Sequence, residues 1–412
     1  MKTLIALLLF AFLFLNSCKK DDDAGSRSTV TVNVADSYVT KDSDNWVVVY
    51  DVDGNVLGYK TFEAGASLVF QLGKDYPLNS LTVGVVSIFS EAAANVYYYT
   101  QISPGNISVG PTVLATGLQT GNATAKCHVN EYATSYSFGH KFSANGGTTF
   151  GGGLEQDGSY LFTVNSSIAT DGSDMLFSMA VEQGKPRFKK FAGVKSGDVL
   201  EFNYSDLKEF DQNIKFTFPP TKQVSLYIQG RTSDEDYDWQ GYPLLADEAY
   251  NYTAVTSVFG GYLNELKTYT TELNLSYENY SLSYQSRGPI PDGIISWPSP
   301  DDFTIGDTTL NNFSSSAMIP FTYRASTWAY TRTAPKYFGV EHYVFSGSGS
   351  QKIGELPDEI LAVQPDLSIL KARHAQTQFF TKGSDYKDIA KETLNIDLGP
   401  RFTEQIGIAI IK

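Results

Sequence analysis

The densest run of oxygen donors in the chain is Asp234-Glu235-Asp236-Tyr237-Asp238, which follows a segment that reads as a strand. Asp234, Asp236 and Asp238 are hard oxygen ligands of the kind Ca²⁺ takes. The competing reading is a solvated acidic loop. Trp239 and Tyr242 border this run, Tyr277, Tyr280 and Tyr284 lie further on in one sheet region, and Trp297 follows. An exposed aromatic ring can stack on the apolar C–H face of a sugar while a nearby Asp or Asn takes its hydroxyls. Trp239, Tyr242, Tyr277, Tyr280 and Tyr284 therefore form the candidate glycan-binding set. Their other reading is aromatic packing across strands and within a β-core.

Other chemistries find less material. Of His128, His140, His342 and His374, none pairs with another His or a Cys at the short spacing of a structural zinc site. Cys127 and His128 are adjacent, so on a strand they point to opposite faces. No Gly-x-Ser-x-Gly elbow occurs, and no residue is assigned a catalytic role. Asp51-Val52-Asp53-Gly54-Asn55 echoes a calcium loop, but Gly stands fourth and Phe62 stands where the last carboxylate belongs. It reads as a β-turn. Gly146-Gly147 and Gly151-Gly152-Gly153 lack the Lys-Ser/Thr of a phosphate loop and read as a mobile connector. Paired carboxylates for glycoside hydrolysis depend on separation in space, so with 45 acidic residues the sequence does not single out a pair.

One thiol has a sharper context. Leu4 to Leu15 is an unbroken apolar run after Met1-Lys2-Thr3, and it ends in Leu15-Asn16-Ser17-Cys18. A bilayer-spanning helix needs about 20 residues, so this run has the length of a signal-peptide core. The motif resembles the lipobox of bacterial lipoproteins, in which the Cys thiol takes a diacylglyceryl group and becomes the first mature residue. The alternative is an ordinary secretory leader with an incidental Cys. Cys18-Lys19-Lys20-Asp21-Asp22-Asp23 resembles the surface-export signal of Bacteroidota lipoproteins. The resemblance implies a signal peptide at 1–17, a lipidated tether at 18–27 and an address on the exterior of the outer membrane. Acyl chains contribute about 0.8 kcal/mol per buried CH₂ to such an anchor.

These candidate residues must be positioned by strands. The chain of 412 residues holds 26 Tyr, 26 Phe and 35 Gly, and only 18% of it is charged. That mixture favours half-buried pleated surfaces joined by turns, hence an all-β fold of tandem β-sandwiches. A net charge of −14 argues against a nucleic-acid or anionic-lipid partner, because the sequence shows no basic stripe to release counterions. Cys127, without a second mature Cys, reads as a small buried hydrophobe.

Thr29 to Val34 alternates as a strand, and Asp53-Gly54 between apolar runs signals a hairpin. Residues 103–122 read as a boundary. An echo recurs at an offset of about 130 residues: Ser43-Asp44, Val52-Asp53-Gly54, Lys60-Thr61-Phe62 and Gly65 to Phe70 match Ser173-Asp174, Glu182-Gln183-Gly184, Lys189-Lys190-Phe191 and Gly197 to Phe202. It implies two sandwiches at 28–110 and 123–220, loosely similar to Ig-like or carboxypeptidase-regulatory-like modules. Pro219-Pro220 reads as a stiff boundary before a larger β-rich domain at 221–412. In that domain Glu278-Asn279 is either a two-residue hairpin turn or the site of a bulge. Short helices are expected at Pro357 to Val363 and Ser384 to Leu394, and a buried strand at Ile406 to Ile411. Three functions follow: a non-catalytic surface lipoprotein that binds or displays, with a glycan or other extracellular polymer as ligand; a polysaccharide hydrolase; or a structural partner of an outer-membrane complex.

Overall fold

The computed structural model describes residues 29–35, 43–73, 76–90, 92–110, 121–131, 133–139, 149–168, 172–181, 184–233, 241–348, 352–383, 386 and 404–411. The leader with Cys18, the acidic run with Asp234, Asp236 and Asp238, Trp239, His140 and nearly all of Ser384 to Leu394 lie outside the described residues. No helix among the described residues is long and apolar enough to cross a membrane.

Among the described residues the fold is all-β apart from one short helix and a few 3₁₀ turns. The first region holds β1 (Thr29–Val34), β2 (Asp44–Tyr50), β3 (Val56–Thr61), β4 (Ser67–Gln71), β5 (Leu81–Ser90), β6 (Ala93–Ile102) and β7 (Gly105–Val109). β1 is flanked by β4 and, in parallel, by β7, and this small sheet covers one face of the β3-β2-β5-β6 layer. β7 lies inside the stretch expected to be a boundary. Its Ile107 and Val109 belong to the core, and that burial outweighs the Gly, Ser and Thr around them. At the β2–β3 turn, the Asp51 carboxylate accepts the N–H groups of Asp53 and Asn55, both at 2.9 Å, and Gly54 takes φ +85°. The segment behaves as a hairpin turn.

The second region is a sandwich of β8 (Gly121–Val129), β9 (Ala133–Gly139), β10 (Thr149–Leu154), β11 (Tyr160–Ile168), β12 (Ser173–Val181), β13 (Arg187–Val194), β14 (Val199–Asn203) and the two-residue β15 (Lys208–Glu209). Its sheets run β10-β11-β8-β14 and β15-β13-β12-β9, around Cys127, Phe138, Phe162, Phe177 and Phe202. The Gly-rich stretch read as a connector contributes strand β10, whose backbone pairs with β11 from Thr149 to Leu154. An edge strand needs a ladder on one side only, which tolerates glycine better than a central position does.

The echo in the sequence has a counterpart in space. In each copy a hairpin lies in one sheet, a turn with Gly65 or Gly197 at positive φ follows, and the next strand belongs to the other sheet. Lys60 Nζ sits 5.5 Å from the Phe70 ring centre, and Lys189 Nζ sits 5.1 Å from that of Phe202. The same cation–π contact thus pins the corner twice.

The third region adds β16 (Gln212–Arg231), β17 (Tyr242–Tyr262), β18 (Thr268–Ser276), β19 (Tyr280–Gly288), β20 (Phe303–Ile305), β21 (Ser315–Ala317), β22 (Tyr323–Arg332), β23 (Phe338–Ser346), helix α1 (Asp358–Val363), β24 (Arg373–Lys382) and β25 (Glu404–Ile411). Among the described residues, twelve strands form one sheet in the order β17-β16-β18-β19-β25-β24-β22-β23-β6-β5-β2-β3. Hydrogen bonding therefore crosses from the first region into the third through the parallel pair β6–β23. Pro219-Pro220, expected to end a unit, lies within β16. The pairing with β17 shifts register between Thr217 and Thr221 there, a bulge that accommodates two residues without a ladder N–H. The β18–β19 connection is the two-residue hairpin, with Glu278-Asn279 at its tip and Tyr277 N–H donating to the Tyr280 carbonyl at 2.9 Å.

The two faces of this sheet differ. On one, Val224, Leu275, Leu282, Ile408 and Phe379 stand in one cross-strand row, and Leu226, Leu273, Tyr284 and Ile406 in the next. This face carries the largest core, with β20, and a second core beneath the loop that leads into α1. On the other face, a single row reads Gln223, Ser276, Ser281, Ala409, Gln378, Ala325, Phe345, Tyr99, Val83, Val49. It turns from polar to apolar where the β4-β1-β7 sheet covers it. An antiparallel sheet can face water on one side, and this one does so over part of its width.

Candidate functional site

The predicted aromatic set divides. β16 Gly230 pairs with Tyr242 of β17 and with Tyr269 of β18, whereas Tyr277 follows Ser276 at the other end of β18. Tyr277 lies eight residues along the strand from Tyr269, about 26 Å. Tyr242 and Tyr277 therefore cannot contact one sugar. Tyr277 and Tyr280 do come together, as rings stacked 4.3 Å apart and 7° from parallel, with the Tyr277 hydroxyl donating to the Pro219 carbonyl at 2.8 Å. Tyr284 is a correction. It is only 3% exposed and belongs to the core, because Leu273 and Ile406 flank it on the buried face. Trp297 also packs against that core, with Nε1 donating to the Thr217 carbonyl at 2.9 Å.

Tyr242 instead lines a cleft of about 380 Å³ at the seam between the second sandwich and the large sheet. β12 and β13 supply Asp174, Lys190 and Phe191. The turn after β17 supplies Leu263, Glu265 and Leu266. The seam is closed behind it by Ser178 Oγ, which donates to the Leu244 carbonyl at 2.5 Å, and by the rings of Phe188 and Phe210, 4.8 Å apart. The volume falls in the lower part of the small-molecule range of about 300–1,000 Å³, and apolar walls with a few polar groups are usual there. Lys190 donates to Glu265, and partial burial lowers the lysine's pKa. Asp174 Oδ1 accepts the Gly193 N–H at 2.9 Å. Burial, followed by the charge of Asp174, raises the pKa of the Tyr242 hydroxyl, which stays protonated and can donate. The flanking residues Thr232 and Gly241 enclose the acidic run and Trp239 in sequence, which is the link between this cleft and the motif.

A second cavity, about 560 Å³, gathers turns of the second sandwich around His128, Glu155, Asp157, Ser159, Arg187 and Tyr204. His128 is held at both ring nitrogens, Nδ1 by Glu155 and Nε2 by Glu201, each at 2.9 Å. Those hydrogen bonds, Glu201 first, raise the imidazole pKa. Ser159 Oγ donates to Glu155 and Asp157, so in this structure its hydroxyl proton is directed at carboxylates rather than His128. Glu155-Gln156-Asp157-Gly158-Ser159 folds like the Asp51 turn, with Gly158 at φ +89°. The sequence echo did not pair these two turns, although the spacing Asp-Gly after an acid signals both.

Among the described residues no group of three or more His, Cys, Asp or Glu is placed to hold a metal ion. Cys127 is fully buried and its thiol is pushed up to about 12 by burial. No protein-family model matches the chain, and no curated protein matches it.

Proposed function

We propose that the protein is a non-catalytic, lipid-anchored binding protein of the outer-membrane surface, and that the Tyr242 cleft takes a glycan or other extracellular polymer. The observation that carries the reading is the make-up of the cleft. An aromatic ring and apolar walls suit the C–H face of a sugar, while the Tyr242 hydroxyl, Asp174, Lys190 and Glu265 can bond its hydroxyls. Glu265 is engaged by Lys190 and Asp174 by a backbone N–H, an arrangement suited to fixed acceptors rather than a proton-donating acid. The membrane address rests on Leu15-Asn16-Ser17-Cys18 and the basic-acidic tether after it.

The test is incubation of the mature protein with a polysaccharide panel, with and without Ca²⁺, reading both retention and released reducing ends. Retention without release is expected, weakened about tenfold by Tyr242→Ala, the loss of roughly 1.4 kcal/mol. Release of reducing ends would assign the two cleft carboxylates to hydrolysis instead.

A further inference from the structure

The open part of the large sheet has an unusual surface. Three neighbouring rows cross it. One is Gln223, Ser276, Ser281, Ala409, Gln378, Ala325. Beside it run Ser225, Asn274, Ser283, Gly407 and, on the far side, Ile411, Gln376, Thr327. From β16 to β22 these rows contain no Asp, Glu, Lys or Arg, in a chain whose net charge is −14. Asn274, Ser276 and Gln376 are exposed, and Ser281, Ser283 and Gln378 are half-buried. The surface is low at its centre. A Cβ at Gly407 would meet Ser283 Oγ at 2.8 Å and Gln378 Nε2 at 3.0 Å, so those side chains lean over the glycine. Gln378 Nε2 donates to Ser283 Oγ at 3.0 Å. Glu272 and Tyr227 border the patch on one side, and Tyr386 covers the Phe380 end.

We infer that this face binds an extended, uncharged polysaccharide laid across the strands. The inference rests on the glycan-binding reading and adds the ligand's class and a second surface. Hydroxyls and carboxamides can each donate and accept, so the patch matches alternating hydroxyl donors and acceptors without a fixed charge. Desolvating neutral groups costs far less than desolvating ions. No cation stands in the rows to pair with a uronate or sulfate. Adjacent strands repeat the pattern about every 4.8 Å, and the patch spans about 24 Å across six strands, long enough for several sugar rings in a row.

The experiment is native affinity electrophoresis of the mature protein through gels containing dextran, a mixed-linkage β-glucan, a mannan or polygalacturonate. It compares wild type, Tyr242→Ala and the triple variant Asn274→Ala, Ser276→Ala, Gln376→Ala. These three exposed positions keep the fold, which an unchanged melting temperature verifies. The expected result is retardation by at least one neutral polymer, not by polygalacturonate, and at least tenfold weaker in the triple variant. If Tyr242→Ala abolishes retardation and the triple variant matches wild type, the cleft reading stands and the sheet-face inference is overturned. If no polymer retards wild type, both fail. A wild-type dimer that the triple variant dissociates, seen by light scattering, would make the face a contact between copies and overturn the inference as well.

Discussion

His342 makes the stability of this protein sensitive to acid. Its ring is fully buried between β22 and β6, parallel to that of Tyr98 with centres 6.1 Å apart. Nδ1 lies 3.5 Å from the Tyr98 hydroxyl, and Nε2 has no hydrogen-bond partner among the described residues. Burial lowers the imidazole pKa to about 3, against about 6.5 in an unfolded chain. Between those values the unfolded state holds a proton that the folded state rejects, so acid favours unfolding. The stabilising contribution is complete above about pH 6.5 and is lost as pH falls, by about 1.36 kcal/mol per unit, until about pH 3. At pH 5 the loss is about 2 kcal/mol. His342→Phe keeps the ring and removes the titration. In urea unfolding, the stability of His342→Phe relative to wild type should rise by about 2 kcal/mol between pH 7 and pH 5. An unchanged difference at the two pH values would refute the argument.

His128 should show the opposite displacement: its imidazole titrates above 6.5 by NMR because Glu201 and Glu155 hold the protonated ring, and the double variant Glu155→Gln, Glu201→Gln returns it toward 6.5. Tyr284→Ala should cost about 3–5 kcal/mol of unfolding free energy, and Tyr277→Ala, which loses one stacked pair at a hairpin tip, about 1 kcal/mol; equal losses in denaturant titrations would contradict the assignment of faces. Gly354→Ala should lower the melting temperature, since its Cβ would land on the Gly54 carbonyl oxygen. The reciprocal Gly54→Ala should do the same, because its Cβ would lie 2.9 Å from Gly354 N at a φ of +85°.

Local pattern carried much of the fold. Tyr280-Ser281-Leu282-Ser283-Tyr284-Gln285 alternates as a strand, and it is one. The error lay in which side faced water. The strand pattern alone lets tyrosine read as the exposed binding side chain, but the partners across the sheet are Leu273, Leu275, Ile406 and Ile408, which draw the even positions inward. The serines, unremarkable in sequence, then become the accessible surface. Asp53-Gly54 was legible because a hairpin turn is decided by a few adjacent residues, whereas Glu278-Asn279, without a glycine, left a turn and a bulge both open. The pairing of β6 with β23 was not legible, since it joins residues 246 positions apart, as Gly339 with Ala93, and no local signal encodes it. The Tyr242 cleft was half legible: Tyr242 was singled out, while Asp174 and Lys190 arrive from another sandwich.

The place of β25 bears on how the chain is assembled. Residues 404–411 lie between β19 and β24, in the interior of the twelve-strand sheet. Until they arrive, β19 and β24 each present an open row of backbone donors and acceptors, and the sheet is two separate pieces. β19 pairs with a strand more than 110 positions further along the chain (Ser286 with Glu404), and so distant a pairing slows folding. A chain delivered amino terminus first would therefore hold its sandwiches ready while the largest sheet waited for its keystone, with two unpaired edges offered meanwhile to neighbouring chains. Deleting the segment would expose the same edges permanently.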